Sequence, residues 1–176
     1  MTAITRNPSN PNFLHPNKFQ LNFGRTPNTQ YFCQSITVPG ISMSEIQSPT
    51  PFSDLYLPGE KPIYDLLNVT FLVDEEMKAW LEIHDWIRAL TFPENYQEYQ
   101  SLSTLNPNTL NNKPQYSDCT ITVLTAANNP IVRFHYYEVF PTSISTVIMN
   151  ASDSPDNIIT ADATFRYSRF DVEKIA

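Results

Sequence analysis

Apolar and polar residues alternate along several short stretches of this chain, and one of these stretches leads directly into an amphipathic helix. Residues 67–73 are mostly β-branched or aromatic at every second position, which predicts a buried strand. Asp74 follows with a side-chain oxygen for the free N–H groups of a first helical turn, and Pro93 has no N–H with which to continue a helix. The pattern therefore predicts a strand followed by a helix over residues 74–92.

This predicted helix is apolar over more than half of its circumference. A helix that lies on one sheet of a monomer normally needs a narrower apolar stripe. We therefore expect one side of the helix to pack on its own domain and the other side to meet a second chain. The residues assigned to that contact between subunits are Trp80, Ile83 and Trp86.

The remaining alternation predicts a mainly β protein of the α+β type, an antiparallel β-barrel or sandwich of about seven strands with one flanking α-helix. The strands are expected at residues 18–25, 28–38, 67–73, 118–126, 131–140 and 158–172. The pair 118–126 and 131–140 forms a hairpin, and residues 141–147 extend it past a kink. The last strand has one apolar and one polar face, so its polar face is expected to be exposed to solvent.

Residues 40–62 are too apolar for a loop that only connects two strands. They also contain four prolines, which rule out a regular central strand. Two interpretations are open: a long protruding hairpin that packs on a neighbouring subunit, or a lid folded over the chain's own core. The first interpretation assigns seven residues to an interface between subunits: Ile41, Met43, Ile46, Phe52, Leu55, Tyr56 and Leu57.

Composition indicates where the domain begins and in which compartment the chain folds. The polar, proline-rich residues 1–17 predict an N-terminal arm, and residues 18–176 a single domain with a surface excursion over 93–117. The formal charge of −7 argues against a general nucleic-acid binder. Without a signal-like start or an apolar run long enough for a membrane span, we expect folding in a cytoplasm and no membrane insertion.

Signatures of catalysis are absent from the sequence. The three histidines are scattered without partners at metal-ligand spacing, and three glycines do not build a phosphate loop. We therefore expect no enzyme, no metal and no cofactor. Glu138, Asp162 and Arg166 are predicted on wet strand faces, where they either line a groove or channel or simply face solvent.

The order of these pieces resembles the tail tube proteins of contractile-tailed bacteriophages and the related baseplate proteins that start the tube. The likeness spans residues 17–172 and rests on three segments in this order. They are a strand with a Pro-Gly break before the long hairpin (YFCQSITVPG), the strand and acidic helix (VTFLVDEEMKAWLEIHDW), and the closing run (VFPTSISTVIMNASDSPDNIITADATFRYSRF).

This resemblance implies a structural virion protein that forms stacked hexameric rings around a lumen conducting DNA, made in the bacterial cytoplasm. It implies that the hairpin over 40–62 reaches adjacent subunits, that the helix lies between subunits, and that sheath and baseplate proteins are partners. As a hypothesis, Glu138 and Asp162 face the lumen, where like charge repels phosphates and DNA passes without specific binding.

Several alternatives accompany the repeated tube subunit. The arm and the excursion exceed what a minimal tube subunit needs, which favours a baseplate initiator or a terminal ring of the same fold. An injection-machine tube protein would share the ring. A monomeric ligand-binding β-barrel would need an apolar interior cavity.

Overall fold

Strands dominate the protein, and one of them, β7, joins the two halves of its sheet. A computed structural model describes residues 12–91, 93–105, 115–152, 154 and 157–175. The elements in chain order are β1 (Phe19–Phe23), α1 (Pro27–Tyr31), β2 (Cys33–Ile36), β3 (Ile41–Pro49), β4 (Asp54–Tyr64), β5 (Leu67–Leu72), α2 (Lys78–Thr91), α3 (Gln97–Leu105), β6 (Ser117–Leu124), β7 (Pro130–Ile144), β8 (Thr160–Arg166) and β9 (Arg169–Lys174).

Seven strands form one antiparallel sheet, which confirms the predicted fold class. Its order is β1-β6-β7-β8-β5-β2, with β9 beside β7, whereas β3 and β4 form a separate two-stranded sheet. Residues 132–136 of β7 pair with both β6 and β9, and residues 140–144 pair with β8. The sheet ends at β1 and β2 without closing into a barrel, so its two halves pack as a sandwich.

Aromatic side chains fill the space between the two halves. Phe23 of β1 and Phe165 of β8 have ring centroids 5.1 Å apart, and Trp86 of α2 lies 6.0 Å from Phe23 at a steep angle. The apolar row of β5, whose members Val69 and Phe71 are fully buried, adds to this core. Helix α2 thus inserts a side chain between residues of both halves.

A β-bulge at Glu138 lets β7 serve both halves. Glu138 has a left-handed φ of 55°, and its N–H donates to Asp118 Oδ1 at 3.4 Å. Before the bulge Tyr136 faces the core, and after it Val139 and Pro141 do. An extra residue on one strand bends that strand and reverses the alternation of its faces. As expected, the strand continues past the predicted hairpin, here to Ile144.

The long alternating run 158–172 lies beside β7 along most of its length but is split into two strands. Residues 167–168 separate β8 from β9 opposite the bulge, and the Ser168 hydroxyl donates to the Glu138 carboxylate there. The single predicted strand is wrong at this point because the bulge on β7 interrupts its partner.

Residues 28–38 were predicted as one strand, and the prediction is wrong for the first half. Pro27 opens the short helix α1, where its fixed φ suits the first turn. The Glu82 carboxylate of α2 accepts from the N–H groups of Asn28 and Thr29 at 3.2 and 3.4 Å. This contact comes from a residue more than fifty positions away, so the local pattern does not contain it.

Helix α2 begins later than predicted, at Lys78 rather than at residue 74. Met77 has a left-handed φ of 54°, which interrupts the helix, although Asp74 Oδ1 still accepts from the Ala79 N–H at 3.1 Å. Position 92, where the predicted helix ends, lies outside the described residues. None of the helices in the described ranges is long and apolar enough to cross a membrane.

The excursion over 93–117 is not purely a surface segment. It contains helix α3, which packs against α2 and buries Leu102 almost completely. The Trp86 indole N–H also donates to the Gln115 carbonyl at 3.1 Å. Residues 106–114 of the excursion, and residues 1–11 of the predicted arm, lie outside the described ranges.

Candidate assembly surfaces

The β3–β4 hairpin is the first candidate surface because it carries apolar side chains that the other described residues leave exposed. The two strands pair with each other, in a register that sets Ile46 opposite Leu57 and Ser48 opposite Leu55. Among the described elements, none outside the hairpin makes an extensive contact with either strand. The hairpin therefore projects from the sandwich.

All seven hairpin residues that the sequence assigned to an interface are exposed in the single chain. Their exposed fractions run from 45% for Leu57 to 99% for Phe52 at the tip. A lid over the chain's own core would bury such residues, so the lid interpretation is wrong. Ile63 is equally exposed, and the alternation of β4 could have marked it too.

Local chemistry explains why these residues form a two-stranded hairpin despite their prolines. Each strand of an isolated pair has a solvent side, where Pro58 and Pro62 need no N–H partner. A register shift after Met43, where three residues of β4 face one of β3, brings Ser44 against Gly59, and an added Cβ there would lie 2.3 Å from the Ser44 carbonyl oxygen. Only glycine fits at that position without a shift of backbone.

An aromatic contact anchors the base of the hairpin to the sandwich. Tyr64 at the end of β4 packs on Tyr167 and Phe170, with both ring centroids 5.7 Å away. The Asp65 N–H donates to the Gly40 carbonyl at 3.2 Å and closes the base. The hairpin is thus held at one end only.

For two of the three helix residues, the predicted contact between subunits is wrong. Ile83 and Trp86 are 0% and 2% exposed, because they face the chain's own core. The wide apolar arc of α2 is covered within the chain by α1, β7 and α3. The predicted second chain is therefore not needed to explain that arc.

Trp80, the third helix residue, is half-buried and partly engaged within the chain. Its indole N–H donates to the Ser145 carbonyl at 3.3 Å, and its ring stacks on His84 with centroids 5.1 Å apart. Leu81 is more exposed than Trp80, but the sequence analysis did not select it. The apolar arc of α2 is wide, and its pattern does not indicate which side of the helix faces solvent.

The outer face of β8 is the second candidate surface, and it is polar. Asp162 and Arg166 are both exposed on it. The Thr70 hydroxyl donates to Asp162 Oδ1 at 2.6 Å, and the Thr164 hydroxyl donates to Asn68 Oδ1 at 3.1 Å. These cross-strand bonds link β8 to β5 in a hydroxyl- and amide-rich surface with few charges.

Glu138 stands apart from the other two residues assigned to the lumen. It is partly buried in the bulge of β7, where its carboxylate accepts from Ser168. Arg166 is opposite Phe140, two residues further along β7. The structure thus brings Asp162 and Arg166 to one face and places Glu138 at the bulge beside it.

The outer face of the other half of the sheet carries a charged cluster that the sequence analysis did not single out. Glu173 lies 3.2 Å from the Arg133 guanidinium and 3.3 Å from His135 Nε2. The opposite ring nitrogen of His135 is 3.3 Å from the Thr120 hydroxyl. Aligning the solvent-facing positions of β6, β7 and β9 would have predicted this face from the sequence.

The described residues contain no arrangement of three or more His, Cys, Asp or Glu side chains that could hold a metal ion. Burial raises the pKa of the Cys33 thiol to about 11 and raises that of Cys119 as well, so both are neutral thiols near pH 7. The exposed surfaces described above are the apolar hairpin and two polar sheet faces.

Sequence and fold comparisons identify the family of the chain and proteins that share its fold. Residues 11–173 match the model of the phage tail tube protein family, so the chain belongs to that family of structural tail proteins. The tail tube terminator protein of Enterobacteria phage T4 is 27% identical over 145 residues, which cover 80% of this chain and 76% of that protein. The family match therefore makes this chain a phage tail tube family protein, and the T4 tube terminator is a protein to which it is similar.

Two solved structures share the fold at low sequence identity. A chain of the anti-feeding prophage (AFP) baseplate superposes with a TM-score of 0.62 at 15% identity, over 95% of this chain and 98% of that one. A chain of the PVC sheath/tube terminator, from an extracellular contractile injection system, also has a TM-score of 0.62, at 17% identity over 93% and 99%. The expected resemblance to tail tube proteins is therefore confirmed.

Proposed function

We propose that six copies of this chain assemble into a ring that terminates a contractile tail tube, each copy packing its hairpin on the next. The observation that carries the proposal is the β3–β4 hairpin, whose apolar side chains are exposed and which is held to its own chain only at the base. The residues proposed for the interface are those of the hairpin together with the exposed side of Trp80.

Energetics favour a partner for this hairpin. A two-stranded hairpin alone is marginally stable in water. Full burial of a Leu or Phe side chain contributes about 1.5–3 kcal/mol, so covering Phe52, Leu55 and Leu57 stabilises both the hairpin and the contact. Exposed apolar patches of this kind mark interaction sites more often than they mark ordinary surface.

The choice of a terminal ring rests on the relative from phage T4, whose name is tail tube terminator, and on the extra structure in this chain. Helix α3 lies within the proposed single domain over 18–176, and the proposed arm over residues 1–17 precedes that domain. A repeated tube subunit is the second candidate, favoured by the family match, and the AFP baseplate neighbour favours an initiator ring. In each case sheath and baseplate proteins are the proposed partners in the virion.

The polar face of β8 and β5 is proposed to line the lumen. Its side chains are mainly hydroxyls and amides bonded to one another, with Asp162 the exposed carboxylate of β8. Six chains with a formal charge of −7 give a ring near −42, so phosphates are repelled and DNA passes without adhering. A cryo-EM map of the assembled ring with Asp162 on the outside would remove this part of the proposal.

Assembly state and shape test the proposed function directly. Above the concentration needed for assembly, light scattering on the purified protein should give a mass close to six times 20.2 kDa, and negative-stain images should contain separate six-fold rings and no stacked tubes. Long uniform tubes would favour the repeated subunit instead. A chain that stays monomeric both alone and with preassembled tail tubes would contradict all three ring proposals.

A further inference from the structure

The sandwich is open between its two terminal strands, and a cavity follows this opening. Among the described residues, β1 pairs only with β6 and β2 only with β5, so each strand has one free edge. The cavity measures about 740 Å³ and separates β1 from the segment formed by α1 and β2. Phe19 and Leu21 line one side, Tyr31 and Cys33 line the other, and the described lining residues carry no charge. The cavity is therefore a neutral space along a free strand edge.

The free edge of β1 turns backbone groups toward this cavity. The Lys18 carbonyl accepts from the Leu124 N–H, so every second residue from Lys18 onward directs its backbone groups to β6. Leu21 and Phe23 direct theirs the opposite way, and the Phe23 N–H donates to the Gln30 side chain at 2.9 Å. A side chain thus takes the place of a strand at Phe23, whereas Leu21 offers its N–H and carbonyl to an extended segment.

A second cavity meets the first at Pro27 and is acidic. Pro27 lines both cavities, and the second one, of about 630 Å³, lies between α2, α3 and the β1–α1 connection. Its charged lining residues are three carboxylates and two guanidinium groups, with a formal charge of −1: Glu82, Asp85, Glu98, Arg25 and Arg88. Arg88 is paired with Glu94 and Glu98, and the Asp85 side chain is 73% exposed. This acidic groove therefore suits a basic group.

The N-terminal segment reaches the neutral cavity with a matching sequence of charges. Pro16 and Asn17, directly before β1, already line that cavity. Residues 7–14 have no charged side chain, and Arg6 lies just before them. The sequence has no carboxylate before Glu45. An uncharged segment next to a neutral cavity, followed by a basic residue, matches the order in which the two cavities are arranged.

The segment is also long enough to reach the acidic groove. Pro8 and Pro11 favour an extended backbone, which rises about 3.1 Å per residue. The chain from Asn17 back to Arg6 therefore spans about 34 Å, whereas the five residues of β1 span only about 17 Å. We propose that residues 1–14 lie in the neutral cavity along the free edge of β1 and place Arg6 in the acidic groove of the same chain. The proposal does not depend on a ring.

Exposed apolar side chains support this occupant. Phe13 and Leu14, two and three residues before Pro16, are 92% and 67% exposed, and Tyr31 on the cavity wall is 82% exposed. Seating the segment covers all three, which is favourable in proportion to the apolar area removed from water. It also covers a free strand edge, and such edges are sites where other chains add by strand pairing. The segment thereby protects the single chain from pairing at β1.

The hairpin tip of a second copy suits these cavities less well. Residues 46–57 contain one carboxylate, Asp54, and no basic residue. The acidic groove repels this charge, whereas it attracts Arg6.

The native thiol of Cys33 reports on the neutral cavity. Removal of residues 1–14 should speed maleimide labelling of Cys33 at least about tenfold in the unassembled protein. Cys119 is 1% exposed and should stay unlabelled in both proteins. Hydrogen exchange should accelerate at the Leu21 N–H, whereas the Phe23 N–H, which is bonded to Gln30, is the matched control and should keep its protection.

A charge variant tests the acidic groove with the chain at full length, also if the shortened chain aggregates through its free edge. Arg6→Glu should speed the labelling of Cys33 several-fold, because the groove then repels the segment. Arg6→Lys keeps the charge and should label at the rate of the unaltered chain.

The outcomes separate this inference from the proposed ring. Equal labelling of Cys33 in the full and shortened chains, or in Arg6→Glu and Arg6→Lys, would overturn the seating. Protection that increases with protein concentration, or that the shortened chain regains when full-length chain is added, would place the segment on a neighbouring copy and would overturn seating within one chain. The mass from light scattering is a separate readout, so a chain that forms no ring leaves the seating intact.

Discussion

Strands β4 and β5 follow one another in the chain and carry similar alternating patterns, yet only β5 buries its apolar row. Val69 and Phe71 of β5 are fully buried, whereas Leu55 and Leu57 of β4 are about half exposed. Strand β5 lies between β2 and β8 and faces the core, but β4 has only β3 as a neighbour. Alternation therefore identifies a face that needs cover, and the fold decides whether that cover comes from the same chain.

Core truncation is expected to have the largest effect on folding. Phe165→Ala removes a ring that contacts both Phe23 and Trp86, and large-to-small changes of this kind cost about 3–5 kcal/mol. The free energy of unfolding from urea titration should fall by that amount. Leu57→Ala in the hairpin is the matched change and should lower it by less than about 1 kcal/mol. Equal losses would mean that the hairpin belongs to the folding core.

Charge introduced on the hairpin is expected to act on assembly alone. Leu55→Asp with Leu57→Asp places two carboxylates on one face of β4 in every subunit, which opposes apolar burial at the interface. The concentration for ring formation should rise at least about a hundredfold in light scattering. The circular dichroism spectrum and the urea midpoint of the monomer should be unchanged. Normal rings from this variant would contradict the assignment of the hairpin to an interface between subunits.

Gly59 gives a smaller effect that is confined to the hairpin. Gly59→Ala places a Cβ 2.3 Å from the Ser44 carbonyl oxygen, so the two strands must separate locally. Hydrogen exchange should accelerate in β3 and β4 while β5 and β8 keep their protection. Gly24→Ala is the control, because its Cβ would meet the nearest atom, Ser117 Oγ, at 3.8 Å. Equal exchange in both variants would show that the close contact at Ser44 does not hold the hairpin together.

Much of the fold follows from local pattern, because the pattern and its cause lie in the same few residues. The hairpin, β5, the β6–β7 pair and the apolar face of β8 were predictable in this way. The four prolines of residues 40–62 excluded a central strand, and β3 and β4 do stand outside the main sheet.

What the sequence did not contain is contact between distant segments. Helix α1 depends on Glu82 more than fifty residues away, and the cover for Trp86 comes from β1, β8 and the residues after α3. A wide apolar arc looks the same whether a second chain or the same chain covers it. The hairpin residues chosen from the sequence are therefore exposed in the single chain, as an interface requires. Ile83 and Trp86 were chosen wrongly, because they are buried in the core.

The smallest effects are expected from two tyrosine hydroxyls in the core. Tyr136 and Tyr167 are buried with ring centroids 5.0 Å apart, and neither hydroxyl has a hydrogen-bond partner among the described residues. A buried polar group without a partner costs free energy. Tyr136→Phe and Tyr167→Phe should therefore leave stability at pH 7 unchanged or raise it by about 1 kcal/mol in urea titration. A loss above that size would reveal a hydrogen bond to these hydroxyls.

The same tyrosines predict how the core, but not the hairpin, responds to alkali. Burial, with the nearby Asp65 carboxylate as a second cause, raises the pKa of Tyr167 from 10.0 to about 12, and burial also raises the pKa of Tyr136. Between these pH values the unfolded chain has released protons that the folded chain still holds, so the free energy of unfolding falls as the pH rises from 10 to 12. The double Phe variant should have a flatter profile over this range. A variant that lost stability as steeply as the unaltered chain would place the alkaline sensitivity outside the core.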